Sequence, residues 1–251
     1  MSILLQRPFE TFAPPHLLAL LTTVVLTIVL TRFARKTTNE KLLKQVRYGM
    51  GALLLLAVAL DPVLTLVRYG WGEGGFAMVM DNSLPFYLCD VVSIFLAIAL
   101  FTGNQRLAEI GFLWGLAGTV QGLLMPTLWF DHHELEFYVF FLQHGGAPLA
   151  AVFIVWGLGI TPQKGAFKRS VMWSVGYIAT IMTINVLIGE NYGFLNDKPK
   201  VPTFFDHMGP WPFYLITLQV LAYSMYGILL AIAPSSDKAR KDERKKEQLL
   251  A

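Results

Sequence analysis

Residues 16–33 read HLLALLTTVVLTIVLTRF, and this nearly uncharged stretch decides the class of fold. A membrane-spanning helix needs about 20 predominantly apolar residues, and comparable apolar runs recur along almost the whole chain. Hydrophobic residues make up 55% of the 251 residues and charged residues 15%, whereas a soluble domain carries about 25% charged residues. The sequence therefore predicts an all-α, polytopic membrane protein.

The apolar runs predict one domain, residues 1–234, built as a bundle of seven transmembrane helices. The predicted spans are residues 16–33, 46–67, 84–101, 107–125, 137–158, 170–188 and 211–233. Residues 235–251 alternate in charge and predict a basic, mixed-charge cytoplasmic tail. A second interpretation of this tail is a helix that lies on anionic lipid.

The distribution of basic residues predicts the orientation of the bundle. Most of the 20 Lys and Arg residues lie between the first and second spans, between the fifth and sixth spans, and in the tail. Cytoplasmic loops carry such an excess, so we predict an outer N-terminus and a cytoplasmic C-terminus. The net charge of +3 thus reflects topology, and no nucleic-acid partner is expected.

Polar side chains within the predicted spans fall mostly in the outer half of the membrane. At a rise of about 1.5 Å per residue, Cys89 lies about 6 Å and His144 about 10–12 Å below the outer ends of their spans. Polar groups inside a membrane usually face the bundle interior or a cavity. The distribution therefore predicts a pocket that opens to the outer leaflet or the outside. Its predicted lining, including residues of the 190–210 loop, is Asp61, Tyr87, Asp90, Gln121, Gln143, Asn185, Tyr192, His207, Trp211 and Gln219.

Two of these features each admit two interpretations. Asp61 precedes Pro62 in the second span, where it either orients a histidine or binds a headgroup, or is satisfied by a neighbour such as Arg68. The aromatic loop of residues 190–210 either caps the pocket or forms a belt that anchors the last two spans.

Cys89 and His144 are the candidate reactive residues. Cys89 lies at a predicted helix start, where the helix dipole favours a thiolate. His144 is the only histidine predicted at mid-membrane depth, and an imidazole there could accept the thiol proton. Gln143, Asn185 and the first amides of the third span are candidate donors to an oxyanion. Alternatively, Cys89 is a small packing residue and His144 an interhelical hydrogen-bonding group.

No metal or other cofactor is predicted. The run DHHE at residues 131–134 is a weak metal signal, because a metal site needs ligands that converge in a defined geometry. A retinal protein needs a lysine in its last span, and residues 202–236 contain none. A b-type haem carrier needs paired intramembrane histidines, and only His144 qualifies.

Three motifs carry a family resemblance over nearly the whole chain. They are LPFYLCD at residues 84–90, QHGGAP at 143–148, and NYGFL at 191–195 with GPWPFY at 209–214. They resemble bacterial YwaF-type integral membrane proteins, which are similar to the eukaryotic transmembrane protein 164 family of phospholipid acyltransferases. The resemblance implies that Cys89 is the nucleophile in acyl transfer to lysophospholipids and that His144 is its partner. Many bacterial relatives have a histidine where this chain has Tyr87.

The resulting prediction is a membrane-embedded lipid acyltransferase or acyl-ester hydrolase with a Cys89–His144 dyad in the outer half of the bilayer. A remote resemblance to the androgen-induced hydrolases of lipid esters implies the hydrolytic alternative. The expected location is the bacterial cytoplasmic (inner) membrane, and the expected partners are phospholipids or lysophospholipids. The oligomeric state is left open. The alternative function is a binding or transport protein for a lipid or small amphiphile, without covalent catalysis.

Overall fold

A computed structural model describes residues 8–199 and 204–234, and within these ranges the protein is all-helical apart from one isolated bridge between Pro8 and Phe130. The helices are α1 (Pro14–Lys36), α2 (Glu40–Tyr69), α3 (Glu73–Asn82), α4 (Leu88–Thr102), α5 (Gln105–Leu124), α6 (Leu135–Gly157), α7 (Ala166–Ile188) and α8 (Phe213–Ile232). The predicted all-α class is confirmed. The predicted tail, residues 235–251, lies outside the described residues.

Six of these helices, α1, α2, α5, α6, α7 and α8, are long and apolar enough to cross a membrane. The third predicted span corresponds to α4, which has 15 residues and a length of about 22 Å against a hydrocarbon core of about 30 Å. It starts at Leu88 rather than at residue 84 because residues 83–87, including Pro85, form a turn. The count of seven spans and the orientation of the termini stay predictions.

The bundle has a protein-buried centre and an apolar outer layer. At the centre, α4 packs against α2, α5 and α6, and its residues Val92, Leu96 and Leu100 are fully buried. The outer helices instead present large apolar side chains outward, as at Val186 and Leu187, which are 73% and 78% exposed. Such surfaces are typical of contact with lipid rather than water. Because α4 is enclosed by protein, its length need not match the bilayer.

Two helices contain a π-helical turn, a feature that often occurs at functional sites. These turns are Gly115–Thr119 in α5 and Phe153–Gly157 in α6. Within the first, a Cβ atom on Gly118 would lie 2.6 Å from a methyl carbon of Leu88. The absence of a side chain at this position lets the first residue of α4 pack directly against α5.

Helix α3 was not predicted, because its ten residues with two glycines are too short and weakly patterned for a span. It packs against α2 and leads into the turn that precedes α4. The Ser83 hydroxyl in that turn lies 2.7 Å from the Thr65 hydroxyl of α2. Helix α2 itself continues through Pro62.

A buried carboxylate joins α5 to α7 near the N-terminal end of α5. Glu109 is 2% exposed, and Arg169 donates to its Oε2 from Nε at 3.0 Å and from Nη2 at 2.7 Å. The backbone N–H of Gln163 donates to Oε1 of Glu109 at 2.9 Å. The negative charge is therefore both paired and hydrogen-bonded, as a buried charge requires.

Candidate functional site

Cys89 lies in the first turn of α4, as the second residue of the helix, and it is half-buried. Asp90 caps the start of the helix, because its Oδ2 accepts a hydrogen bond of 3.1 Å from the backbone N–H of Tyr87. The first amides of a helix have no intrahelical carbonyl partner, so those of Leu88 and Cys89 point out of the helix beside the thiol.

A hydrogen bond of 2.6 Å joins the start of α4 to α6. The Gln143 side-chain amide donates it to Asp90 Oδ1, and both side chains are buried. Asp90 follows Cys89 in the sequence and Gln143 precedes His144, so this bond brings the two candidate reactive residues into one region. It also uses one of the two N–H donors of the Gln143 side-chain amide, which was predicted as a donor to an oxyanion.

The His144 ring is held in a defined orientation. Its Nδ1 lies 3.0 Å from the Phe140 carbonyl oxygen, one turn earlier in α6, so Nδ1 carries the proton and Nε2 keeps a lone pair. The ring stacks on Phe140 with centroids 3.9 Å apart, and its far edge faces Gly122 of α5. Within the described ranges, no hydrogen bond joins the Cys89 sulfur to this imidazole.

Asp61 belongs to the same region. Its carboxylate interacts with the hydroxyl of Ser83, in the turn that precedes α4, and the Thr65 hydroxyl, one turn further along α2, lies 2.7 Å from the same Ser83 hydroxyl. The suggestion that Arg68 satisfies Asp61 is wrong. Arg68 is instead paired with two carboxylates at the start of α6: its guanidinium donates to Glu136 and Glu134 at 2.6 and 2.8 Å.

Tyr192, in the loop that follows α7, packs against the turn that precedes α4. Tyr192 is completely buried; its hydroxyl donates to the Met80 carbonyl at 2.6 Å and accepts from the Leu84 amide at 3.1 Å. Burial raises the pKa of this phenol to about 12, so it stays a donor. The Tyr87 ring packs edge-on against Tyr192, with centroids 5.0 Å apart.

The same loop is tied to the start of α8. The Trp211 indole donates to the Leu195 carbonyl at 3.1 Å, and the Tyr214 hydroxyl donates to the Phe194 carbonyl. Phe194 in turn contacts the Tyr87 ring. Tyr192 and Trp211 therefore cover and fasten the region of Cys89 rather than line its interior.

Four predicted lining residues have other positions. The Asn185 side chain makes two hydrogen bonds with the backbone of Tyr192: its Nδ2 donates to the carbonyl at 2.9 Å and its Oδ1 accepts from the N–H at 2.8 Å. It therefore holds the loop in place instead of offering an oxyanion donor. Gln121 is exposed and folds back onto the Ala117 carbonyl of its own helix. His207 is exposed on a 3₁₀ turn. Gln219 lies on α8, where its Oε1 is buried without a hydrogen-bond partner in the described ranges.

Two polar residues with a positional role were not predicted. His16 is fully buried; its Nδ1 accepts from the Phe12 amide and its Nε2 donates to the Leu123 carbonyl, both at 2.9 Å. The Tyr177 hydroxyl donates to the Phe86 carbonyl at 2.9 Å, just before α4. In the sequence each appears only as a single polar ring within an apolar helix. Such a ring alone does not indicate which group it hydrogen-bonds.

A cavity of about 240 Å³ lies between the N-terminal segment and the loop that joins α5 to α6. It is lined by Pro8, Phe9, Glu10, Ala13, Pro15, His16, Asp131, His132 and Phe137. Neither Cys89 nor His144 lines it. This cavity is therefore separate from the region of Cys89.

The apolar helices and the buried polar centre define an all-helical integral membrane protein. The family model of the TMEM164 family matches residues 11–230, and the chain belongs to this family. Comparisons with curated proteins and with solved structures gave no match. The match includes the motifs around Cys89 and His144 and confirms the predicted resemblance to the TMEM164 family, whereas the resemblance to bacterial YwaF-type proteins stays a prediction.

Proposed function

We propose that this protein transfers an acyl chain between phospholipids in the bacterial cytoplasmic membrane, with Cys89 as nucleophile and His144 as general base and acid. Membership of the TMEM164 family supports a membrane-embedded site. The observation that carries the proposal is the 2.6 Å hydrogen bond between Gln143 and Asp90. It fixes the helix turns that bear His144 and Cys89 against each other.

The proposed first step forms a thioester. His144 Nε2 accepts the Cys89 proton, and the thiolate sulfur attacks the acyl ester carbonyl of a donor phospholipid. The Leu88 and Cys89 amides donate to the oxyanion that develops. The carbon–oxygen ester bond then breaks, and the imidazolium returns its proton to the departing alkoxide, which leaves as a lysophospholipid.

The proposed second step releases the acyl chain. His144 takes the hydroxyl proton of an acceptor lysophospholipid, whose oxygen attacks the thioester, and the Cys89 thiolate leaves and is reprotonated by the imidazolium. Water in place of the acceptor gives hydrolysis by the same steps. Catalytic hydrogen bonds are often long before substrate binds, so the thiol–imidazole contact is expected to form when lipid enters.

An assay with the purified protein in phospholipid nanodiscs tests this function. The probe is lysophosphatidylcholine labelled in its headgroup, supplied with unlabelled diacyl phosphatidylcholine as acyl donor. The expected product is labelled diacyl phospholipid, with labelled lysophospholipid consumed. Release of free fatty acid alone would show hydrolysis. Absence of both products, with labelled lipid carried into sealed liposomes, would favour the binding or transport alternative and overturn the proposal.

Gly122→Ala is expected to impair His144 without unfolding the bundle. The new Cβ would lie 2.7 Å from Cδ2 and 3.1 Å from Nε2 of His144, and the ring is restrained by its stacking on Phe140 and by the hydrogen bond of its Nδ1 to the Phe140 carbonyl. A displacement of about 1 Å in a catalytic group can cost about 10²-fold. We therefore expect acyl transfer to fall by about that factor, measured as initial rate at saturating lipid.

Gly176→Ala is the matched control for this variant. It places the same methyl group in the middle of α7, where no heavy atom of the described residues lies within 4 Å beyond those of its own helix backbone and chain neighbours. Its activity is expected to equal that of the unmodified protein. Equal activity in both variants would mean that the position of the His144 ring does not affect acyl transfer.

A further inference from the structure

We propose that Asp131, His132 and His133 form a binding site for a divalent transition cation of the zinc type. One ligand atom from each side chain lies within 4.8 Å of the other two. The His133 Nδ1 is 2.9 Å and the His132 Nδ1 3.8 Å from the Asp131 carboxylate. Imidazole nitrogens with one carboxylate are a donor set that zinc prefers.

The separations are close to those of a bound site. Ligand atoms around a tetrahedral zinc with bonds of about 2.0–2.2 Å lie about 3.3–3.6 Å apart. Rotation of the His132 and His133 rings would close the remaining gap, because both rings are on the surface, 41% and 59% exposed. Adjacent histidines diverge on a helix, but residues 131–134 form a turn ahead of α6 that aims both toward Asp131.

The turn that carries these ligands is held on both sides. Phe130 before it pairs with Pro8 of the N-terminal segment and lies under the Arg68 guanidinium, 4.0 Å from the ring centroid. Glu134 after it is bound by the same Arg68 at 2.8 Å. These contacts limit the conformational freedom that would be lost on binding a cation. The carboxylates of Glu134 and Glu136 also neutralise Arg68, whose charge would otherwise repel the ion.

The cavity next to the turn provides room for a further ligand. Asp131 and His132 line the 240 Å³ cavity, and so does Glu10. A zinc ion on three protein ligands keeps a fourth position, which is filled by water or another donor, and Glu10 is the acidic side chain on that side. His16 lines the same cavity but is not a ligand, because both of its ring nitrogens are hydrogen-bonded.

Zinc binding to the purified full chain tests the proposal. The protein should be stripped with chelator, free of a polyhistidine tag, and titrated with ZnCl₂ by calorimetry in detergent. We expect one saturable zinc ion per chain and weakening by at least about tenfold in each of His132→Ala and His133→Ala. Cobalt as a probe should give the visible absorption of a four-coordinate site, and magnesium should not compete.

The matched control is His207→Ala, which removes an exposed histidine from a different loop. It is expected to leave zinc affinity unchanged, and thermal melts would verify that all variants remain folded. Affinity in His132→Ala or His133→Ala equal to that of the unmodified protein, or the absence of saturable binding, would overturn the site. The result is independent of acyl transfer, because binding is measured without lipid substrate.

Discussion

Replacing Cys89 by alanine is expected to abolish acyl transfer, with turnover falling by at least about 10³-fold. The reason is chemical: without sulfur no thioester can form, and alanine offers no other nucleophile. His144→Asn keeps a similar size but removes the basic nitrogen, and should lower turnover by about 10²–10⁴-fold. The measurement is the initial rate of labelled phospholipid formation in nanodiscs.

Ser93→Ala is the matched control for the cysteine variant. Ser93 is buried one turn further along α4, and its hydroxyl has no hydrogen-bond partner in the described ranges. Its replacement should therefore leave both turnover and melting temperature near those of the unmodified protein. Full turnover in Cys89→Ala would make the thiol a packing residue and would contradict the proposed dyad.

Arg169→Met is expected to cause the largest loss of stability. It removes the guanidinium that donates two hydrogen bonds to Glu109, whose side chain is 1% exposed, and leaves only the exposed Arg106 as a counter-charge. Breaking a buried ion pair in this way costs about 3–5 kcal/mol, which corresponds to a fall of roughly 10 °C in melting temperature for a domain of this size. Thermal unfolding in detergent, followed by circular dichroism, measures the change.

Arg106→Met provides the comparison on the same carboxylate. Arg106 is 57% exposed and lies 3.5 Å from Glu109, so its loss should change stability by less than about 1 kcal/mol. The double variant Glu109→Leu with Arg169→Met should recover most of the loss, since both charges are removed together. A melting temperature unchanged by Arg169→Met alone would mean that the pair does not stabilise the bundle.

Much of the fold was predictable because membrane helices carry their signal locally. Apolar runs located six long helices, with bounds that shifted by up to six residues; the largest shift is at α2, which begins at the polar residue Glu40 after its cap Asn39. The short α4 could not be distinguished from a full span by composition alone. Its enclosure by α2, α5 and α6 is a property of the packed bundle, and α3 lacked any repeat strong enough to predict.

The candidate site was predictable in part. Depth along a helix placed Cys89 and Asp61 in one region. It could not distinguish a residue that lines the site from one that holds a loop in place through hydrogen bonds. Asn185 has a suitable depth and yet binds the loop at Tyr192. The bond between Asp90 and Gln143 joins residues that are 53 positions apart. A pairing over that distance depends on helix packing, which no single motif encodes.

The most direct test of the proposed mechanism is mass spectrometry of the protein, both intact and after proteolysis, following a brief incubation with donor phospholipid and no acceptor. The mechanism predicts a mass increase of one acyl chain on the peptide that contains Cys89, removed by neutral hydroxylamine and missing in Cys89→Ala. Formation of labelled product when acceptor is present, with no acyl adduct on Cys89 at any time, would contradict a thioester mechanism.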